Sequence, residues 1–474
     1  MPERVFLIIK FILEVVNVFF ILYLIGYSTF LFLSVVKGAE RLYQKRREVL
    51  LNNVTNDDYY VPVTIVVPAY NEEVTVVDTV RSLLALEYKL YEIIVVDDGS
   101  KDDTSKVLIE AFNMKKINRP VRYQVPSKPI KGVYEAMNEK VPVTLISKEN
   151  GGKADALNMG INASRYPYFV CMDADSMLQY DSLKEVVRPV LENSNVIAVG
   201  GAVRPANGCE MALGRVEKYR LPDNILACMQ TLEYDRSFLA ARILFDSFNG
   251  SLIISGAFGL FKKDIVIAAG GYETSTMGED MELVVKMHEY CINNDIDYSI
   301  KYATGAICWS QAPEKLKDLC KQRKRWHRGL YQTMHIHKRV FGDKKYAPVS
   351  TISYPFFLLY ELYSPYIEMF GIFTTILAYA ADLLNPRYMI MFFLIYAFFG
   401  AVMTITAFFS RIHTIDLKVS KSDMLKAVGL CLFEITILRF VMATVRAQAL
   451  IGMRNKNQKL TWGSIERKKL DYKK

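Results

Sequence analysis

Four short polar motifs in this 474-residue chain carry residue types that could do chemistry. Asp173-Ala174-Asp175 sets two carboxylates close together with no basic neighbour in sequence. Their mutual repulsion is relieved by a divalent cation, and an all-oxygen pair favours Mg2+ or Mn2+, which keep open positions for phosphate oxygens. A metal ion on a diphosphate stabilises the charge that develops as a nucleoside diphosphate leaves. Gly151-Gly152-Lys153, opening a helical stretch, offers backbone N–H groups and a cation to an anion. It lacks the spacing of a P-loop, which argues against an NTPase. In Gly278-Glu279-Asp280 the acidic pair suits a helix N-terminus. Asp280 is also a candidate general base for an acceptor hydroxyl. In Gln322-Arg323-Lys324-Arg325-Trp326, residues 322, 325 and 326 fall on one helical face. Trp326 offers a flat apolar surface to a sugar ring and Arg325 a fork to a diphosphate. The same helix reads as a basic membrane-surface helix with an interfacial Trp, and both readings can hold at once.

Something must bring these motifs together. From about residue 54 to 345, short β-rich runs alternate with helical stretches: strands at 63–67, 91–96, 143–147 and 168–172, helices ending near 86 and at 104–112, 153–163 and 182–191. The strands are almost continuously apolar, as in a sheet covered on both faces. Alternating strand and helix predicts an α/β domain with a doubly wound, mostly parallel sheet. Such sheets bind ligands beyond the carboxyl ends of their strands. Those ends read Pro68-Ala69-Tyr70-Asn71-Glu72, Asp97-Asp98-Gly99-Ser100, Glu149-Asn150-Gly151-Gly152-Lys153 and Asp173-Ala174-Asp175. Any one of them is ordinary turn chemistry. Four at one edge make a site.

Composition places this domain beside a membrane. The chain is 51% hydrophobic and 23% charged, with mean hydropathy +0.12. That is too apolar for an ordinary soluble enzyme and too charged for a bundle of spans alone. Residues 15–36 form a run long enough to cross a bilayer, which needs about 20 residues. It lacks a good small-residue cleavage site and reads as an anchor. Further runs at 356–381 and 388–409 can each span. A third, 425–450, contains Glu434, Arg439 and Arg446 and is expected not to cross as one simple span. Net charges of +4 over 37–47, +8 over 311–345 and +6 from 453 onward flank the apolar runs, while the rest of the chain is net acidic. By the positive-inside rule the catalytic domain is then cytoplasmic in a multi-pass plasma-membrane protein. The expected division is an anchor and basic juxtamembrane segment (1–53), the α/β domain (54–312), interface helices (313–350), membrane or channel segments (351–452) and a basic cytosolic tail (453–474).

The overall charge of +9 comes with no nucleic-acid recognition motif, so no nucleic-acid partner is expected. The seven cysteines show no metal-like spacing and read as reduced core residues. His335 and His337 are expected on a basic surface helix rather than as a ligand pair.

Taken in order, Asp97/Asp98, Asp173/Asp175, Glu279-Asp280 and Gln322–Trp326 resemble the pattern of the processive family 2 glycosyltransferases, the group of cellulose, chitin, hyaluronan and poly-N-acetylglucosamine synthases. The likeness extends over nearly the whole chain, and its most specific part is the Gln-x-x-Arg-Trp element. It implies a GT-A-type domain embedded between transmembrane helices. It also implies an inverting transfer that polymerises UDP-glucose or UDP-N-acetylglucosamine into a β-linked polysaccharide, a β-glucan or a poly-N-acetylglucosamine- or hyaluronan-like chain, and moves it across the membrane. On that resemblance Ala69, Tyr70, Glu72 and Asp97/Asp98 would hold the uridine, with Lys153 and Arg325 on the diphosphate. Asp173 would touch the donor, and Asp175, with Asp173, would ligate Mg2+ or Mn2+. Asp280, beside Glu279, would be the base. Gln322 and Trp326, with the Ser255-Gly256 loop, would hold the growing polysaccharide. Accessory export proteins would be compatible partners, and no oligomeric state is implied.

The segment 117–141 is longer than the resemblance leads one to expect and is assigned no role. The tail after Met453 is too short for the cyclic-dinucleotide domain of bacterial cellulose synthases, so regulation of that kind is not expected within this chain. A transferase adding a single sugar to a membrane lipid is the alternative. A catalytically dead fold serving as a membrane scaffold is a third reading, disfavoured by the intact carboxylates.

Overall fold

β-Branched runs build the centre of the sheet, where a pleated strand buried on both faces suits Val and Ile. In a computed structural model the described residues are 3–51, 60–212, 214–415 and 419–451; the expected basic tail from 453 lies outside them. The strands are β1 (Val63–Ala69), β2 (Tyr91–Asp97), β3 (Met114–Ile117), β4 (Ile130–Ala136), β5 (Val143–Lys148), β6 (Tyr168–Met172), β7 (Met177–Leu178), β8 (Val196–Pro205), β9 (Glu210–Ala212), β10 (Arg215–Lys218), β11 (Phe258–Lys262) and β12 (Ser299–Ser310). Ten form one sheet in the order β3-β4-β5-β2-β1-β6-β11-β8-β12-β7. The four strands expected from sequence, β5-β2-β1-β6, run parallel at its centre. The flanks are mixed: β11 runs antiparallel to both β6 and β8, and β12 runs parallel to β8.

Side chains along β1 alternate between two cores, as the two-residue strand period requires. Val63, Ile65 and Val67 pack with Val80, Leu83, Leu183 and Val186 from the helices Val76–Leu84 and Ser182–Glu192. Val66 packs the other way, onto Leu157, Met159, Leu283 and Met287 from the helices Lys153–Ala163 and Glu279–Asn293. Gly160 makes the second contact close: a Cβ there would lie 2.1 Å from a Val66 methyl.

The segment that sequence left without a role completes the sheet edge. β4 pairs antiparallel with both β3 and β5. The loop between β3 and β4 braces the Lys153–Ala163 helix, because Asn162 Oδ1 accepts from the N–H groups of Gln124 (2.7 Å) and Val125 (3.0 Å).

Among the described residues three helices are long and apolar enough to cross a membrane: Lys10–Arg47, Pro386–Ile412 and Lys421–Ala449. The stretch at 425–450, expected not to cross as one simple span, lies within the helix Lys421–Ala449, which has that length and apolarity. The run at 356–381 is instead broken at Tyr363, and the helix Ser364–Ala380 that follows has 17 residues. Pro365 explains the break, since its missing N–H and its bulk cannot continue the preceding turn. Lys45, at the far end of the first helix, pairs with Glu185 on the sheet domain and ties the two together.

Candidate active site

The parallel centre delivers its polar strand ends to one edge. Ala69 is level with Asp97, and Asp97 with Ser147. β11 runs the opposite way, so its start is level with the end of β6, Phe258 opposite Met172. The loop Ser255-Gly256-Ala257 before it therefore joins the same edge.

A network with one ammonium at its centre forms there. Lys153 Nζ pairs with Asp173, lies 3.8 Å from Glu279 and donates to the Gly256 carbonyl at 3.4 Å. The Gly256 N–H donates in turn to Asp280 Oδ2 at 3.1 Å, and the Met281 N–H donates to Asp280 Oδ1 at 2.9 Å. Gly256 lies close between the two charged groups: a Cβ on it would sit 3.2 Å from Lys153 Nζ and 3.5 Å from Asp280 Cβ. Five of the expected residues, Lys153, Asp173, Gly256, Glu279 and Asp280, thus form one contiguous site.

The electrostatics follow from this crowding. Burial, reinforced by the neighbouring Asp173, pushes the Asp175 carboxyl up to about 7. Burial also raises Glu279, against the opposing charge of Lys153. For Lys153 burial disfavours the charge, but Asp173 and Glu279 outweigh it and its affinity for the proton rises. Beyond burial, the like charge of Asp173 bears on Asp175, and a cation between the two carboxylates would relieve that repulsion. The oxygen pair Asp173/Asp175 therefore suits Mg2+ or Mn2+. Among the described residues no group of three or more His, Cys, Asp or Glu could hold a metal by itself. Further oxygens would have to come from a ligand.

Asp98 departs from expectation. It was expected on the donor, but it is fully buried, and its carboxylate accepts from Lys148 Nζ at 2.5 Å and from the Gly151 and Gly152 N–H groups at 3.0 and 2.7 Å. Asp98 is a strut that holds the turn before Lys153. Lys148 also reaches Asp155, at 2.6 Å. Neither Lys148 nor Asp155 was singled out from sequence, and an apolar strand ending in Lys was the available signal. Asp97 is also buried; it accepts from the Ser100 N–H at 2.9 Å and from the Ser105 hydroxyl. Glu72 is buried and accepts from Thr75 Oγ1 at 2.8 Å, its own N–H donating to Thr104 Oγ1 at 2.8 Å. Ala69 is buried in β1, and Tyr70 is half-buried just beyond it.

The helix Leu316–Ile336 brings in the second group. Its charge from Arg325 acts on Glu279. Gln322 is half-buried, and its Oε1 is shielded from solvent with no hydrogen-bond partner. Trp326 is 42% exposed, with the Arg323 guanidinium 4.7 Å from its ring centre. Arg323 makes a two-pronged pair with Glu233 at 2.8 and 2.7 Å. Glu233 then lines a cavity of about 170 Å³ between the apolar helices. Across that cavity Arg236 pairs with Glu434 (3.1 Å), Arg439 with Glu368 (2.7 Å) and Arg446 with Glu361 (3.2 Å). Ionisable groups in such surroundings mark function far more often than packing.

Of the two histidines expected on the surface, one departs from expectation. His335 stacks on Tyr331 near the surface. His337, expected on the surface, is 5% exposed and sits between Glu289 (2.8 Å) and Glu282 (3.3 Å).

Comparison with known proteins agrees with the geometry. The Glycosyl transferase family 2 profile matches residues 64–266, and the Glycosyl transferase family group 2 profile matches residues 168–410. The chain is 32% identical over 273 residues to a poly-beta-1,6-N-acetyl-D-glucosamine synthase of Staphylococcus epidermidis, covering 57% of this chain and 55% of the relative. It is 31% identical over 280 residues to the synthase of the same name from Staphylococcus aureus (strain COL), covering 59% and 57%. The match spans little more than half the length of these relatives. The mannosyltransferase PcManGT from Pyrobaculum calidifontis, solved with GDP-Man and Mn2+, superposes with a TM-score of 0.50 at 17% identity, over 88% of this chain and 99% of that one. That likeness speaks to the fold alone, which is GT-A-like. With a family profile over half its length and the carboxylates and Arg-Trp helix at one sheet edge, the chain belongs to glycosyl transferase family 2.

Proposed function

We propose that this protein is a membrane-embedded, inverting and processive synthase that transfers N-acetylglucosamine from its UDP-linked donor to a growing β-linked polymer and passes that polymer through the membrane. The observation that carries the reading is the path Trp326–Arg323–Glu233. It joins a surface suited to an acceptor sugar to a polar cavity among apolar helices. A transferase that only decorates a lipid has no need of paired charges lining such a cavity. The choice of N-acetylglucosamine over glucose rests on the names of the matching relatives.

In this reading Asp280, oriented by the Gly256 and Met281 N–H groups, takes the proton of the acceptor hydroxyl. The freed oxygen attacks the anomeric carbon, and the bond to the diphosphate breaks with its electron pair leaving on UDP. Direct attack inverts that carbon, giving a β-linkage from an α-linked donor. Lys153 and Arg325 offset charge on the departing diphosphate. Asp173 and Asp175 would hold Mg2+ or Mn2+, which when bound supplies further neutralisation of that charge. Tyr27, Tyr360 and Tyr396, which also line the cavity, and its ion pairs offer stacking faces and hydrogen bonds to hydroxyls in place of water.

The test is a purified enzyme given UDP-N-acetylglucosamine and, separately, UDP-glucose. A long product sensitive to a hydrolase for β-linked N-acetylglucosamine supports the reading. Products carrying a single sugar refute processivity, and polymer from UDP-glucose alone refutes the assigned donor.

A further inference from the structure

The cluster at the sheet edge has a cation of its own. Lys153 is paired directly with Asp173, one of the two carboxylates suited to a metal ion, and only 20% of its side chain is exposed. Its charge is also felt by Asp175, the other. A divalent ion brought to these carboxylates with the ammonium in place meets a full positive charge at contact distance. The carboxylates cannot serve both cations equally. The protein alone, moreover, offers no cluster of three metal-binding side chains among the described residues.

We propose that Lys153 is a built-in competitor of the metal ion. In the donor-free protein its ammonium neutralises Asp173 and keeps the affinity for a free divalent cation low. A diphosphate supplies both things the site lacks, oxygen ligands for the metal and a new anionic partner for Lys153. The ammonium then shifts from carboxylate to phosphate, and metal and nucleotide enter together. Three features make the shift cheap. Lysine is a point charge on a flexible four-carbon stem, and Gly256 leaves the space beside Nζ open, where a Cβ would stand 3.2 Å away. Glu279, 3.8 Å from Nζ, gives the ammonium a second carboxylate to turn on. The device prevents the acidic edge from being filled by metal without substrate. The inference rests on the reading of this edge as a metal and nucleotide-diphosphate site.

The experiment is Mn2+ binding to the purified full-length protein, read from the electron paramagnetic resonance signal of free Mn2+, with and without UDP. Wild type should bind Mn2+ weakly alone and much more tightly with UDP. Lys153→Met should bind Mn2+ without UDP about tenfold more tightly than wild type, the scale of removing one like charge from a partly buried site. UDP should then add less. Lys153→Arg, which keeps the charge, should bind Mn2+ without UDP as weakly as wild type, and Lys153→Gln replaces the methionine variant if that one does not fold. Equal Mn2+ affinity of the neutral variants and wild type without UDP overturns the competitor role, while UDP-dependent Mn2+ binding by wild type leaves the metal reading standing. Failure of wild type to bind Mn2+ even with UDP overturns the metal reading, and this inference with it.

Discussion

Gly278 and Gly329 meet backbone to backbone. A Cβ on Gly329 would lie 2.7 Å from the Gly278 N and Cα, and one on Gly278 would lie 2.9 Å from the Gly329 backbone. Gly278 immediately precedes the helix that opens with Glu279 and Asp280, and Gly329 lies one turn beyond Arg325 and Trp326. This contact sets the separation between the proposed base and the proposed acceptor surface. Gln332 locks it, its Oε1 accepting from the Met277 N–H at 2.8 Å. Gly329→Val should therefore wedge the helices apart and lower kcat by about 100-fold, the scale of an ångström of misplacement, with UDP affinity retained. Steady-state kinetics beside a UDP-binding titration would check this, and unchanged kcat would contradict it.

Asp280→Asn keeps the shape of the carboxylate but removes its basicity. Transfer should fall by about 10²–10⁴-fold, the range supplied by a general base, while UDP still binds. Full activity in this variant would remove Asp280 from the role of base.

His337 joins the Asp280 helix to the end of the Trp326 helix. Burial disfavours its charge, but the hydrogen bonds it donates to Glu282 and Glu289 outweigh this and raise its pKa to about 9. Lys286, 3.1 Å from Glu282, is the nearby opposing charge. A raised folded-state pKa means that the stabilisation is complete below the ordinary histidine value near 6.5 and fades as pH climbs through about 9. His337→Gln should cost roughly 1–3 kcal/mol at pH 6 and markedly less at pH 9.5. Thermal melts of both proteins across that range measure it, and a pH-independent difference would count against the ion-pair account.

Lys148 and Asp98 are both fully buried, so neither tolerates loss of its partner. Lys148→Met strands the Asp98 charge and should destabilise the protein by about 3–5 kcal/mol. Because Asp98 holds the Gly151-Gly152 turn, donor affinity should drop as well. Denaturant titration and UDP binding report the two effects, and a variant as stable as wild type would show that the pair is dispensable.

In the cavity, Glu368→Gln removes the charged partner of Arg439 and leaves the sheet-edge carboxylates untouched. Initial UDP release should persist while the mean product length falls. Chain length by gel filtration, set beside the rate of UDP release, separates the two, and an unaltered length distribution would take this pair out of the polymer's path.

The legible and illegible parts of this protein divide on physical lines. The parallel centre of the sheet could be read because each strand and helix announces itself within a few residues, through apolar runs and turn signals. Asp173, Lys153, Asp280 and Trp326 could be picked out as candidates because strand ends and helix starts are local features too. What sequence could not divide was work between neighbours. Asp97 and Asp98 are adjacent and chemically alike, and only the position of Lys148, 50 residues on, turns Asp98 into a strut. Nor could it foresee β11 running antiparallel beside β6, which carries Gly256 to the site, because strand order is a long-range property. The break at Tyr363 and the burial of His337 were missed for the same reason.

By itself, then, the sequence determined which groups could do chemistry and that they lie where strands end and helices begin, since local backbone preference decides both. Tertiary structure alone decided which of them meet. Lys153 rests on Asp173, Gly278 on Gly329, and Arg323 on Glu233 across 90 residues. Such contacts depend on how whole elements pack, and no window of sequence contains both partners.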